Sequence, residues 1–144
     1  MQLSQVQISD LIDTALTYRT RAYAPYSHFT VGAALLSSDG QVFGGCNIEN
    51  AAYSPTICAE RTAFAKAISE GYHTFSALAI VGGPEDQVPP LAKFCTPCGV
   101  CRQWLAEFCV KSMPVILACS HTDYRIFTCE ELIPHCFSLP IVVE

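Results

Sequence analysis

At 144 residues the chain has the length of one domain, enough to bury a substantial core without staples. Its net charge of −5, from 8 basic and 13 acidic side chains with no basic cluster, excludes the surface a polynucleotide partner requires. No apolar run is long enough to span a bilayer, and MQLSQVQISD lacks the basic start and apolar stretch of a secretory signal, so a cytoplasmic protein is expected.

The first predicted element is a helix in SQVQISDLIDTALTYRTRAY, where Ile8, Leu11, Ile12, Ala15 and Leu16 recur at helical spacing. Ser4 with Gln7 makes a capping box, and Pro25 is expected to stop the helix. HFTVGAALLSSDG then alternates Phe29, Val31, Ala33 and Leu35 at strand period. Asp39-Gly40 turns it into a second strand, QVFGGCNIEN. A helix from about Ile57 to Glu70 follows, with Gly71 just past its end. The continuous apolar run FSALAIVGG reads as a strand buried on both faces. After the loop PEDQVPPLAKF come a helix from about Pro97 to Val110, the strand PVILACS, a further short strand, and a closing helix capped by Thr128 and Glu131 and ended by Pro134. The expected fold is one domain over 1–144, a three-layer α/β/α arrangement around a mixed five-stranded sheet.

Two short stretches carry the chemistry. In TPCGVCRQ, a proline suited to the first helical position precedes Cys98 and Cys101, which then lie one turn apart on one face. By itself a C-x-x-C pair is as compatible with a redox couple as with half of a metal site. In SPTICAERTAFAKA, Cys58 sits in the first turn of a predicted helix behind a Ser-Pro-Thr cap region. Two helix N-termini thus present thiols, and each brings unpaired N–H groups and a partial positive charge. Three thiolates leave one tetrahedral zinc position for water, the pattern of a catalytic rather than a structural site. Arg61 is placed to offset the negative charge. Glu60 lies about 200° around an ideal helix from Cys58. Side chains lean toward the helix N-terminus, so its carboxylate can still reach back and take a proton from water there.

Zinc deaminases carry H-x-E followed by P-C-x-x-C, or a three-cysteine form of it, with the Glu not a ligand. Cys58-Ala59-Glu60 and Pro97-Cys98-Gly99-Val100-Cys101 match the three-cysteine form. With YAPYSHFTVGAALL, GCNIENAAY and EELIPHCF, they make the chain closely resemble the small homotetrameric cytidine deaminases. The resemblance implies hydrolysis of cytidine and 2′-deoxycytidine to uridine and 2′-deoxyuridine in pyrimidine salvage, with one zinc per chain on Cys58, Cys98 and Cys101. It implies that Glu60 is catalytic, that Asn47 and Glu49 hold the ribose hydroxyls, and that Phe29 stacks near the pyrimidine. The backbone at Cys58 and Ala59 would contact the base, and Arg61 would bond the thiolates. Ala51 and Tyr53 would approach from a neighbouring subunit, and Phe137 from another.

Without the resemblance, Asn47 reads as a turn residue, Glu49 as a surface charge and Phe29 as core. Among the nine cysteines, Cys46, Cys95, Cys109, Cys119, Cys129 and Cys136 read as small free thiols, since the compartment is expected to be reducing. His28, His73, His121 and His135 have no ligand spacing. Cys95 departs from the family pattern as a third thiol in C-T-P-C-G-V-C. As a fourth ligand it would instead make the chain a zinc-stabilised binding module. A second alternative is a deaminase of a different small aminated pyrimidine or a related antibiotic nucleoside, which a lost N-x-E motif would favour; Asn47-Ile48-Glu49 is intact. The charged fraction is 15%, against about 25% in an average soluble domain, and so few charges suggest surface hidden between copies of the chain.

Overall fold

A computed structural model describes residues 2–141. Its elements are α1 (Gln5–Arg19), β1 (Phe29–Ser37), β2 (Val42–Cys46), α2 (Ala59–Ser69), β3 (Phe75–Pro84), α3 (Gly99–Phe108), β4 (Pro114–Ala118), β5 (Tyr124–Thr128) and α4 (Cys129–Leu132). The sheet has the order β2-β1-β3-β4-β5, with only the β3–β4 pair parallel. This is the expected mixed five-stranded sheet.

Helices cover both faces of the sheet. Val31, Ala33, Leu35, Leu78 and Ile80 face Ala63, Phe64 and Leu105 of α2 and α3. Ala34, Leu36, Ala77, Ala79 and Val81 face Ile8, Leu11, Ile12 and Ala15 of α1. The strand period seen in β1 is therefore real, but the intervening residues are buried too, because α1 covers the face that alternation alone would leave to water. Phe64 is fully buried and stands edge-on to Phe75, with ring centroids 5.3 Å apart.

Both expected capping boxes form, Ser4 with Gln7 and Thr128 with Glu131. Gly71 takes the left-handed conformation just past α2, at φ +93°. Helix α1 does not run on to Pro25, however. It ends at Arg19, because the amide of Tyr23 is taken by the Asn47 carbonyl in a bridge that pulls the chain out of helical geometry. The two site helices also start later than the motifs suggested. Cys58 and Cys98 are themselves the N-caps, so Pro97 lies outside α3 and Ser54-Pro55-Thr56 does not cap α2. A residue at an N-cap keeps extended backbone angles, here ψ 157° and 168°, and so its side chain projects off the helix end rather than along its flank.

One close approach sets α2 against the sheet. A β-carbon on Gly45 would lie 2.4 Å from the Ala59 carbonyl oxygen and 2.6 Å from the Ala63 nitrogen. Only a residue without a side chain lets the first turn of α2 rest directly on β2. Thr62 Oγ1 ties the same junction by donating to the Cys46 carbonyl at 2.9 Å.

Candidate active site

The Sγ atoms of Cys58, Cys98 and Cys101 all lie within 4.8 Å of one another, with Cys58 and Cys98 at 3.6 Å. Thiolates at tetrahedral zinc, with Zn–S near 2.3 Å, stand about 3.8 Å apart, a spacing close to that of Cys58 and Cys98, so the cluster could hold such an ion. Neither N-cap thiol caps the backbone of its own helix, so both sulfurs are free to serve as ligands at the positive end of a helix dipole. All nine cysteines are free thiols. Arg102, to which the sequence reading gave no role, secures the turn ahead of the pair. Its Nε donates to the Pro97 carbonyl at 2.8 Å and its Nη1 to that of Leu132 at 2.6 Å.

Electrostatics single out Cys58. Hydrogen bonds from the Cys101 thiol and from Arg61 hold its pKa down, to about 5, against the opposing effect of burial. Arg61 Nη2 lies 3.5 Å from that sulfur and 3.3 Å from the Thr56 carbonyl, while its buried Nε has no hydrogen-bond partner among the described residues. Glu60 is 4% exposed, and burial holds its carboxyl above the ordinary range, with the negative charge of Cys58 pushing the same way. Cys95 behaves differently. Its sulfur packs on the backbone of Gly82, where a β-carbon would come within 2.7 Å, and it stands outside the three-thiol cluster. Burial, followed by the neighbouring negative charges, pushes its thiol up to about 12.

A cavity of about 320 Å³ opens over this cluster, at the lower end of the range of about 300–1,000 Å³ usual for small ligands. Phe29, Asn47, Glu49, Cys58, Ala59 and Glu60 all line it. Asn47 is held by β1: its Oδ1 accepts from the Val31 amide and its Nδ2 donates to the Phe29 carbonyl, each at 2.8 Å. Glu49 Oε1 accepts from the amides of Tyr26 and Ser27 at 3.0 and 3.1 Å. These bonds, with that from the Ser27 side chain foremost, hold the Glu49 carboxyl below its ordinary range. Its second oxygen has no such partner among the described residues.

Ala51, Tyr53 and Phe137 do not reach the cavity within one chain. Tyr53 is 74% exposed and Phe137 70% exposed. Cys98 and Cys95 also line the cavity, together with Ser27, Val31, Thr56, Ile57 and Thr96, to which the sequence assigns no site role. Ser27 and Thr96 lie within the quoted motifs, but nothing in their spacing distinguishes a lining residue from a turn residue.

Residues 5–117 match the family model of the cytidine and deoxycytidylate deaminase zinc-binding region. The cytidine deaminase of Sporosarcina psychrophila is 50% identical over 133 residues, 92% of this chain and 93% of its own. That of Halalkalibacterium halodurans is 47% identical over 128 residues, 89% of this chain and 92% of its own. The crystal structure of cytidine deaminase from Burkholderia pseudomallei superposes with a TM-score of 0.80 at 42% identity, covering 89% of this chain and 97% of that one. Fold, thiol cluster and matched region together define a zinc-binding deaminase, a hydrolase. The chain belongs to the cytidine deaminase family, which deaminates cytidine hydrolytically.

Proposed function

We propose that the chain converts cytidine and 2′-deoxycytidine to uridine and 2′-deoxyuridine with release of ammonia, as a single cytoplasmic domain over 1–144 serving pyrimidine salvage. The observation that carries this reading is one cavity lined both by Cys58, Cys98 and buried Glu60 and by Asn47 and Glu49.

Cys58, Cys98 and Cys101 hold one zinc per chain, which when bound supplies a Lewis acid that activates water. Glu60 moves the protons. Its carboxylate takes one from the attacking water and delivers it to N3 of the pyrimidine, then carries a second from the hydroxyl newly bonded to C4 to the amine, which leaves as ammonia as the C4 carbonyl forms. A pKa raised by burial suits a group that must both accept and give up a proton. Arg61 stabilises the charged thiolates through Cys58. The backbone at Cys58 and Ala59 contacts the base, and the Phe29 ring lies against it. The second oxygen of Glu49 and the remaining N–H of Asn47 take the ribose hydroxyls, and free cytosine would leave these groups unpaired. An absorbance assay at equal concentrations should therefore show turnover of both nucleosides and little or none of cytosine. Comparable rates on cytosine would remove the sugar-binding role of Asn47 and Glu49. The same assay extended to an aminated antibiotic nucleoside decides the alternative substrate.

Ala51 and Tyr53 reach a neighbouring subunit's site and Phe137 closes a third, so the active form is a homotetramer. In support, Tyr53, Phe137 and Leu139 are all at least 70% exposed in the single chain, an unusual cost for large apolar side chains. Light scattering at assay concentration should give four chains per particle. A fully active monomer there would sink the tetramer together with the roles of these three residues.

A further inference from the structure

Arg19 ends α1 and is 8% exposed, yet among the described residues no carboxylate pairs with it. Its guanidinium instead donates to four backbone carbonyls. Nε reaches Thr30 at 3.1 Å, Nη1 reaches Gln87 at 3.0 Å, and Nη2 reaches Gly83 at 3.3 Å and Pro84 at 2.6 Å. A buried charge without a counter-ion is costly unless its donors are used, and a planar fork with five N–H groups is the one side chain able to gather so many acceptors.

The four carbonyls share a location. Thr30 lies between Phe29 and Val31, both of which line the site cavity, and the β1–β3 ladder pairs Phe29 with Pro84 and Thr30 with Gly83. Behind Phe29 lies a second cavity of about 370 Å³, lined by Gly83, Pro84, Gln87, Leu91 and Phe94. Phe29, 39% exposed, therefore lines both cavities and belongs to neither core cluster. Its direction must then come from the backbone that bears it. That backbone is gripped on one side by Asn47, at the Phe29 carbonyl and the Val31 amide, and on the other by Arg19, at the Thr30 carbonyl.

We propose that Arg19 is a positioning residue for deamination: by joining the start of β1 to the last residues of β3 and the loop beyond, it fixes the Phe29 ring as one wall of the nucleoside cavity. The proposal rests on the reading of that cavity as the nucleoside site. Arg19 touches neither substrate nor metal, so its effect falls on binding rather than on chemistry.

The test is a double-mutant cycle on the zinc-loaded enzyme. Arg19→Lys keeps the charge, but its compact ammonium cannot span acceptors on both β1 and the loop. It should raise KM for cytidine about tenfold, the loss expected for one charge-assisted hydrogen bond, with kcat within about twofold. Phe29→Ala alone should also raise KM, and in that background Arg19→Lys should add less than about twofold. If the lysine variant does not accumulate as folded protein, Arg19→Gln takes its place. A ¹⁹F probe on 4-fluorophenylalanine at position 29 should give one resonance in the parent and a shifted or broadened one in the Arg19 variant. An unchanged KM and resonance with only a lower Tm would reduce Arg19 to a structural role and overturn the proposal. So would an equal rise in KM with and without Phe29. A Phe29→Ala enzyme with the parent KM would instead remove the nucleoside-wall reading, and the role of Arg19 with it.

Discussion

Replacing Glu60 with Gln should leave a folded protein that still holds zinc and has lost at least about 10²–10⁴-fold of its cytidine turnover, the usual range for one general acid–base group. The amide matches the carboxylate in size and keeps its hydrogen-bonding reach, so neither the packing of a residue 4% exposed nor the nearby thiols should be disturbed. What it cannot do is carry a proton between water, N3 and the leaving amine. Three anionic thiolates push charge onto a metal and weaken its effect on water relative to neutral ligands, which places more of the burden on the carboxylate. Because one group serves several steps, the loss should lie toward the upper end of that range or beyond it. Turnover near the parent rate, with full zinc content, would falsify the proton-shuttle role.

Serine at Cys58, Cys98 or Cys101 should remove metal and activity together, measured as zinc per chain by elemental analysis beside the rate. A neutral hydroxyl is a poor replacement for thiolate, and among the described residues only these three metal-ligating side chains gather within 4.8 Å of one another. Cys95→Ser gives the contrast and should keep its zinc. Its thiol is held up to about 12 and packs on Gly82, outside the cluster. Zinc lost from Cys95→Ser would mean that the ligand set, and with it the open catalytic position, had been misassigned.

Local signals were legible in the sequence wherever a residue's partner lay within a turn or two. Ser4 with Gln7, Thr128 with Glu131, Gly71 and the three-layer element order all follow from near neighbours along the chain. The C-A-E and P-C-x-x-C signatures likewise located three thiols that fold into one cluster from two helices. Long-range features were harder to read. That Cys58 and Cys98 are N-caps depends on where each chain segment meets the sheet, and α1 stops at Arg19 because Tyr23 bonds Asn47, far along the sequence. Asn47 by itself looks like a turn residue, and only the folded register shows both ends of its amide engaged by β1. Arg19 likewise carries no sign, in a helix with ordinary spacing, of the four carbonyls it will gather.

The contact at Gly45 bears on how the site keeps its dimensions. Where β2 ends, the chain runs directly into Asn47 and Glu49, and where α2 rests on that same strand it begins with Cys58 and Glu60. The groups proposed for sugar and for chemistry are thus mounted on one joint, with no intervening spacer whose flexing could change the distance between them. Such a joint acts as a ruler for the length of the ligand. Any added methyl at Gly45 would push α2 outward and lengthen that ruler, so tolerance for longer or shorter ligands is written into a residue that touches none of them.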